Sequence, residues 1–175
     1  MSKDHFVLTA VEVLPDYRLR LTYADGQTFL VDLSERIHTT SFLAPLKDAA
    51  LFAQAKVGFA GRSVDWIEDE LDLGTDNLRH LAVEQAGGIG HERIWTWLHD
   101  TGLTLEQAAE ALGISRRMLI YYRDGEKAIP RSIWLACLGW EAVKPKGRSL
   151  PLHAPPCGST QLCTQPDPVR AMPGR

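Results

Sequence analysis

The sequence predicts an α+β N-terminal domain, a β-meander with a short helix and further short strands, followed by an all-α domain and a disordered tail. Three observations carry this. "YRLRLTY" alternates strictly and runs into an Asp-Gly turn, residues 104–122 hold two capped amphipathic helices in succession, and proline content rises sharply after Lys144. The expected boundaries are residues 1–78 for the first domain, 79–90 for a connector, 91–143 for the helical domain and 144–175 for the tail.

The first domain opens with "FVLTAVEVL", a β-branched apolar run that stops at Pro15. In "YRLRLTY", Tyr17, Leu19, Leu21 and Tyr23 share one face while Arg18, Arg20 and Thr22 share the other. A period of two marks a half-buried antiparallel strand. "ADG" supplies the positive φ of a tight turn, and "QTFLVDL" returns with Phe29, Val31 and Leu33 on one side. A short helix is expected from Asp48, with Ala49, Phe52 and Ala53 on one side. Two brief strands are expected near residues 55–59 and 63–67. The acidic run "EDELDLGTD" reads as a solvated surface, and Thr75 or Asp76 as the cap of a connecting helix that ends at the "GGIG" breaker.

Residues 91–143 carry the periodicity of short helices with brief connections. Ile94, Trp95 and Leu98 lie at helical spacing before a terminal glycine, and "PRSIWLACLGWEA" forms the last helix. Seven of the ten prolines fall in residues 145–175, a composition unable to build a core.

At 45% hydrophobic and 23% charged, the composition is that of an ordinary globular protein. No apolar run approaches the roughly 18 residues of a membrane span, and "MSKDHF" has no apolar signal region, so a cytoplasmic location without membrane contact is expected. The net charge of −3 conceals an uneven distribution. Residues 1–86 hold 8 basic against 14 acidic side chains, while residues 113–150 hold 8 basic against 3 acidic. A basic patch on an otherwise acidic chain points to one local anionic partner.

The motif with the most chemistry is "LTLEQAAEALGISRRMLIYY". Thr104 and Gln107 have capping-box spacing, Gly113 suits a left-handed helix end, Ile114 plugs the turn and Ser115 caps the next helix. Ala108, Ala109 and Leu112 face inward from the first helix, and Leu119 and Tyr122 from the second. A small residue at the crossing, glycine four residues later and a Ser cap are what a tight helix-turn-helix needs. This stretch, within residues 91–141, resembles the phage repressor and Cro family, the lambda repressor-like or XRE helix-turn-helix.

The resemblance implies that the second helix lies in the major groove of double-stranded DNA. Arg116, Arg117, Ile120 and Tyr121 fall opposite Leu119 and Tyr122 and are the candidate base contacts. The two arginines suit guanine edges or phosphates; Ile120 and Tyr121 suit a thymine methyl, a sugar or a phosphate, or else a protein surface. Thr104, Ser115, Arg123, Lys127 and Arg131 are the candidate backbone contacts, the first two through helix N-termini. A homodimer reading half-sites roughly 34 Å apart is expected.

"VEVLPDYRLRLTYADGQTFLVDLSERI" and the following "FLAPLKDAALFAQAKV" resemble the bacterial domain-of-unknown-function family 2442 over about residues 5–78. That resemblance implies a small α+β fold and no assigned chemistry. Some members carry a repressor-like C-terminal domain and resemble antitoxins, which implies a toxin-like partner protein on the N-terminal domain and an operator on the C-terminal one. The competing expectation is a protein–protein interaction module whose helical domain is architectural.

Other motifs carry less. "HERIW" places Trp95 where a zinc protease needs its second histidine, and His91 and His99 are two turns apart. "GGIG" has no preceding strand and reads as a flexible joint. Asp65, Glu68, Asp69, Glu70 and Asp72 read as surface, and His153, Cys157 and Cys163 are too sparse for zinc. No catalytic triad is recognisable. The chain is therefore expected to be a DNA-binding transcriptional regulator, with no catalytic activity, no metal and no cofactor.

Overall fold

The computed structural model describes residues 4–67 and 70–143. Glu68, Asp69 and the expected tail, with His153, Cys157 and Cys163, lie outside them.

Strands β1 (Leu8–Leu14), β2 (Arg18–Tyr23) and β3 (Thr28–Asp32) form an antiparallel meander in the order β1-β2-β3. Leu19 pairs with Val13 and Val31, and Leu21 with Val11 and Phe29, so the alternation of "YRLRLTY" becomes one fully apolar face. Leu19, Leu21, Tyr23 and Val31 are buried, while Arg20 faces outward and pairs with Glu12 across the strands. Gly26 takes the Asp-Gly turn at φ +80°, with its N–H donated to the Tyr23 carbonyl at 3.0 Å.

Helix α1 (Ser34–Thr39), absent from the sequence reading, follows β3 and buries Ile37. The short helix expected from Asp48 is α2 (Ala49–Phe52), which Asp48 caps by accepting the Ala50 N–H. A second antiparallel sheet holds β4 (Lys56–Val57), β5 (Ser63–Ile67) and β6 (Leu71–Gly74) in that order. Strand β6 corrects the reading of the acidic run. Leu71 is buried while Glu70 and Asp72 point outward, so residues 71–74 of that run form a half-buried strand.

Helix α3 (Thr75–Gln85) lies against β3 and places Leu78 and Ala82 in the same core as both sheets. It was expected as a connector; it is a layer of the first domain. Neither Thr75 nor Asp76 is its cap, a position held by Gly74. The Thr75 hydroxyl instead donates to the Phe6 carbonyl at 2.5 Å and to the Arg62 carbonyl at 3.2 Å, and the Tyr23 hydroxyl donates to the Thr75 carbonyl at 2.9 Å. Burial of that phenol pushes its pKa upward.

The second core joins α4 (Glu92–Thr101), α5 (Leu105–Leu112), α6 (Arg116–Arg123) and α7 (Arg131–Val143). Ile94, Trp97, Ala108, Leu119 and Cys137 are its most deeply buried members. On α4 the large inward residue is Trp97, whose indole N–H donates to the Cys137 carbonyl at 3.2 Å. Trp95, expected inward, is 53% exposed, because the buried stripe runs through residues 94, 97, 98 and 101. Burial and the nearby Glu141 carboxylate push the Cys137 thiol up to about 12, so it packs as a small apolar group.

Where the two cores meet, the Phe6 ring sits 5.0 Å from the His91 ring, and His5 Nε2 donates to the Asp124 carbonyl at 2.9 Å. Glu84 accepts from the Gly90 N–H and pairs with Arg93. That pairing with Arg93 holds the Glu84 carboxyl below the ordinary range. The glycine-rich joint is thus clasped.

Candidate nucleic-acid interface

Local chemistry fixes the α5–α6 pair. The Thr104 side chain accepts the Gln107 N–H at 3.3 Å and the Gln107 side chain accepts the Thr104 N–H at 3.0 Å, completing the capping box. Gly113 ends α5 at φ +67°, and the Ile114 N–H donates to the Ala109 carbonyl at 3.0 Å. Ser115 accepts the Met118 N–H at 3.2 Å and starts α6 after a turn of three residues, 113–115. Such caps stabilise helix termini by about 1 kcal/mol each. Leu119 and Tyr122 anchor the inner side of α6 in the second core.

The opposite side of α6 is presented outward. Arg116 and Arg117 are exposed, and Ile120 and Tyr121 are half-buried. Arg116 Nε reaches Glu106 on α5 at 2.6 Å, and both side chains are more than half exposed. An exposed ion pair of this kind contributes at most about 1 kcal/mol, so Arg116 is separable from Glu106 at low cost. Arg117 Nε donates to the Tyr121 hydroxyl at 2.5 Å, and its guanidinium lies 5.3 Å from that ring. Lys127 Nζ also lies 5.3 Å from the Tyr121 ring. Tyr121 therefore organises two cations beside it (the energy of each contact is about 0.5–1 kcal/mol at an exposed site).

The structure thus groups Arg116, Arg117, Ile120, Tyr121 and Lys127 on and beside one helix face, with the capped start at Ser115. Arg131 is exposed at the start of α7, and Thr104 at the start of α5. Arg123 is elsewhere. It donates to Asp124 at 2.7 Å and lies 4.9 Å from the Trp95 ring. Those groups line a cleft of about 540 Å³ between the two cores, together with Phe6, Arg62, Thr75 and His91. Arg123 accordingly sits at the inter-core seam and its charge is matched locally. Sequence reasoning missed Glu106 as the partner of Arg116 and Trp95 as the platform for Arg123. Both contacts join different helices, beyond what spacing along one helix reports.

Burial beside His80 lowers the His91 pKa to about 4, so the seam packs a neutral imidazole against Phe6. Among the described residues, no group of three or more His, Cys, Asp or Glu is placed to hold a metal ion. Among them also, no helix is long and apolar enough to cross a membrane.

Residues 8–84 match the family described as protein of unknown function DUF2442. The chain is also similar to a solved crystal structure described as "Putative DNA Binding Protein NE0471 from Nitrosomonas europaea ATCC 19718", at 46% identity and TM-score 0.75. That similarity covers 89% of this chain and 99% of the other. The chain belongs to that protein's family and carries a DUF2442 domain. The DUF2442 match runs almost to the end of α3 and stops ahead of α4, in keeping with the place of Leu78 and Ala82 in the first core. No curated protein matches the chain.

Proposed function

We propose that this protein is a DNA-binding transcriptional regulator of the repressor type, with α5 and α6 as a helix-turn-helix and α6 in the major groove. The observation that carries the reading is the outward face of α6. Arg116 and Arg117 project from a helix fixed at its start by a Ser cap and on its inner side by Leu119 and Tyr122. A rigid helix presenting arginines from its first turn suits guanine edges, where each bidentate contact discriminates by roughly 1–3 kcal/mol. Lys127 and Arg131 add backbone charge, and Tyr121 and Ile120 add apolar contact to a sugar or a thymine methyl. The description of the N. europaea relative as a "Putative DNA Binding Protein" supports the same reading.

A partner protein on the DUF2442 domain, as in an antitoxin, is favoured by one observation: Phe59 is 92% exposed on a turn where Ala60 holds φ +52°. An exposed aromatic on a conformationally restricted turn suits a protein contact.

Selection of duplexes from a random-sequence pool, followed by fluorescence anisotropy across a salt series, tests the DNA reading. The expected result is a recovered consensus, with affinity falling steeply as salt rises. Arg117→Ala is expected to weaken binding about tenfold or more and relax preference at one position. A chain that retains no duplex at low salt, or binds regardless of Arg116→Ala and Arg117→Ala, would overturn it in favour of an architectural helical domain.

A further inference from the structure

Helix α7 is apolar on two sides but, among the described residues, has only one core to face. Cys137 is fully buried, and Ile133 and Trp140 pack beside it against the second core. The other side leaves Leu135 56% and Leu138 41% exposed, with Ser132, Gly139 and Ala142 exposed along the same stripe. Among the described residues, a Cβ placed on Gly139 would meet no atom within 4 Å, so this stripe is open. Positions 135, 138, 139 and 142 follow the spacing of one helical face, and exposed leucines grouped this way mark an interaction site.

The charges at the two ends of α7 identify the occupant. Arg131 opens the helix and Glu141 lies near its end, both are exposed, and neither forms an ion pair among the described residues. We propose that this face receives a second copy of the chain, with the two α7 helices antiparallel about a two-fold axis level with residues 136 and 137. That register sets Leu135 against the partner's Leu138 and Leu138 against the partner's Leu135. It also brings Arg131 beside the partner's Glu141, twice over. The face is complementary to its own reversed copy, the requirement of an isologous contact, and Gly139 lets the two backbones approach. One helix pair sits near or below the roughly 1,200 Å² that marks the lower bound of standard interfaces, so association is concentration-dependent and in the micromolar range.

The inference does not rest on the DNA reading, and its test contains no DNA. Sedimentation equilibrium of the full chain, from low micromolar to submillimolar concentration, is expected to show a monomer–dimer equilibrium. Leu138→Glu is expected to abolish the dimer, with an unchanged far-ultraviolet spectrum reporting an intact fold. Arg131→Glu and Glu141→Arg are each expected to weaken dimerisation roughly fivefold, and the two substitutions in one chain to restore it. A chain monomeric throughout, a dimer indifferent to Leu138→Glu, or a doubly reversed chain no better than either single one would overturn the proposal.

Discussion

The two halves of the molecule place arginine in opposite ways. In the DUF2442 domain Arg79 is 8% exposed, paired with Asp25 at 2.8 Å, and its guanidinium lies within 5.0 Å of the Tyr23 and Phe29 rings. It also donates to the His5 carbonyl, so one side chain ties α3, the β2–β3 turn and the N-terminal segment together. On α6, Arg116 and Arg117 are exposed, and among the described residues their side-chain partners are Glu106 and Tyr121. A cation enclosed by matched partners has its charge consumed by the fold; one that is itself exposed beside a single side-chain partner keeps its charge available. Residue type alone does not separate the two uses.

The most direct test of this contrast is Arg79→Met, which leaves Asp25 without its partner and is expected to cost about 3 kcal/mol in urea-denaturation stability. Arg117→Ala should change stability by no more than about 0.5 kcal/mol while weakening DNA binding as above. Equal stability losses at both positions would remove the contrast. Leu119→Ala, which empties the second core beneath the arginines, is expected to cost about 2–4 kcal/mol. Its DNA affinity should fall only where the helical half is unfolded, separable by following binding and circular dichroism at one temperature.

A smaller effect concerns the seam between the halves. The His91 pKa is lowered to about 4, with His80, His5, Asp76 and Arg79 as the charged or titratable neighbours. The unfolded chain, whose histidine titrates near ~6.5, takes up this proton before the folded one does. The stability that this neutral imidazole contributes is therefore complete above about pH 6.5 and is lost as pH falls toward about 4. Melting temperature should decline across that window more steeply in the native protein than in His91→Asn. Thr104→Ala, which removes the capping box, is expected to cost about 1 kcal/mol, read from the thermal midpoint.

How far the sequence revealed the structure depended on whether the deciding interaction was local. The Asp-Gly turn, the Thr104–Gln107 box, the Gly113 end and the Ser115 cap are contacts within a few residues, and their residue types suffice to find them. Strand β6 was hidden because Glu70 and Asp72 flank the single buried Leu71, and three alternating residues in an acidic run give too short a period. Thr75 has the residue type of a cap, yet its hydroxyl is taken by carbonyls of Phe6 and Arg62, distant in sequence. At the candidate interface, which residues of α6 face outward was legible from the wheel. The separation of Arg123 was not, since it depends on Trp95 of α4.

Gly90 has a consequence for geometry. Its α-carbon lies so close to the His80 ring that a Cβ there would stand 2.0 Å from Nδ1. The spacing between the end of the DUF2442 domain and the first turn of α4 is set by the absence of one methyl group. A side chain at that point requires the His80 ring, or the backbone that carries it, to shift. The join between the two cores is therefore tuned at a position remote from the exposed arginines of α6.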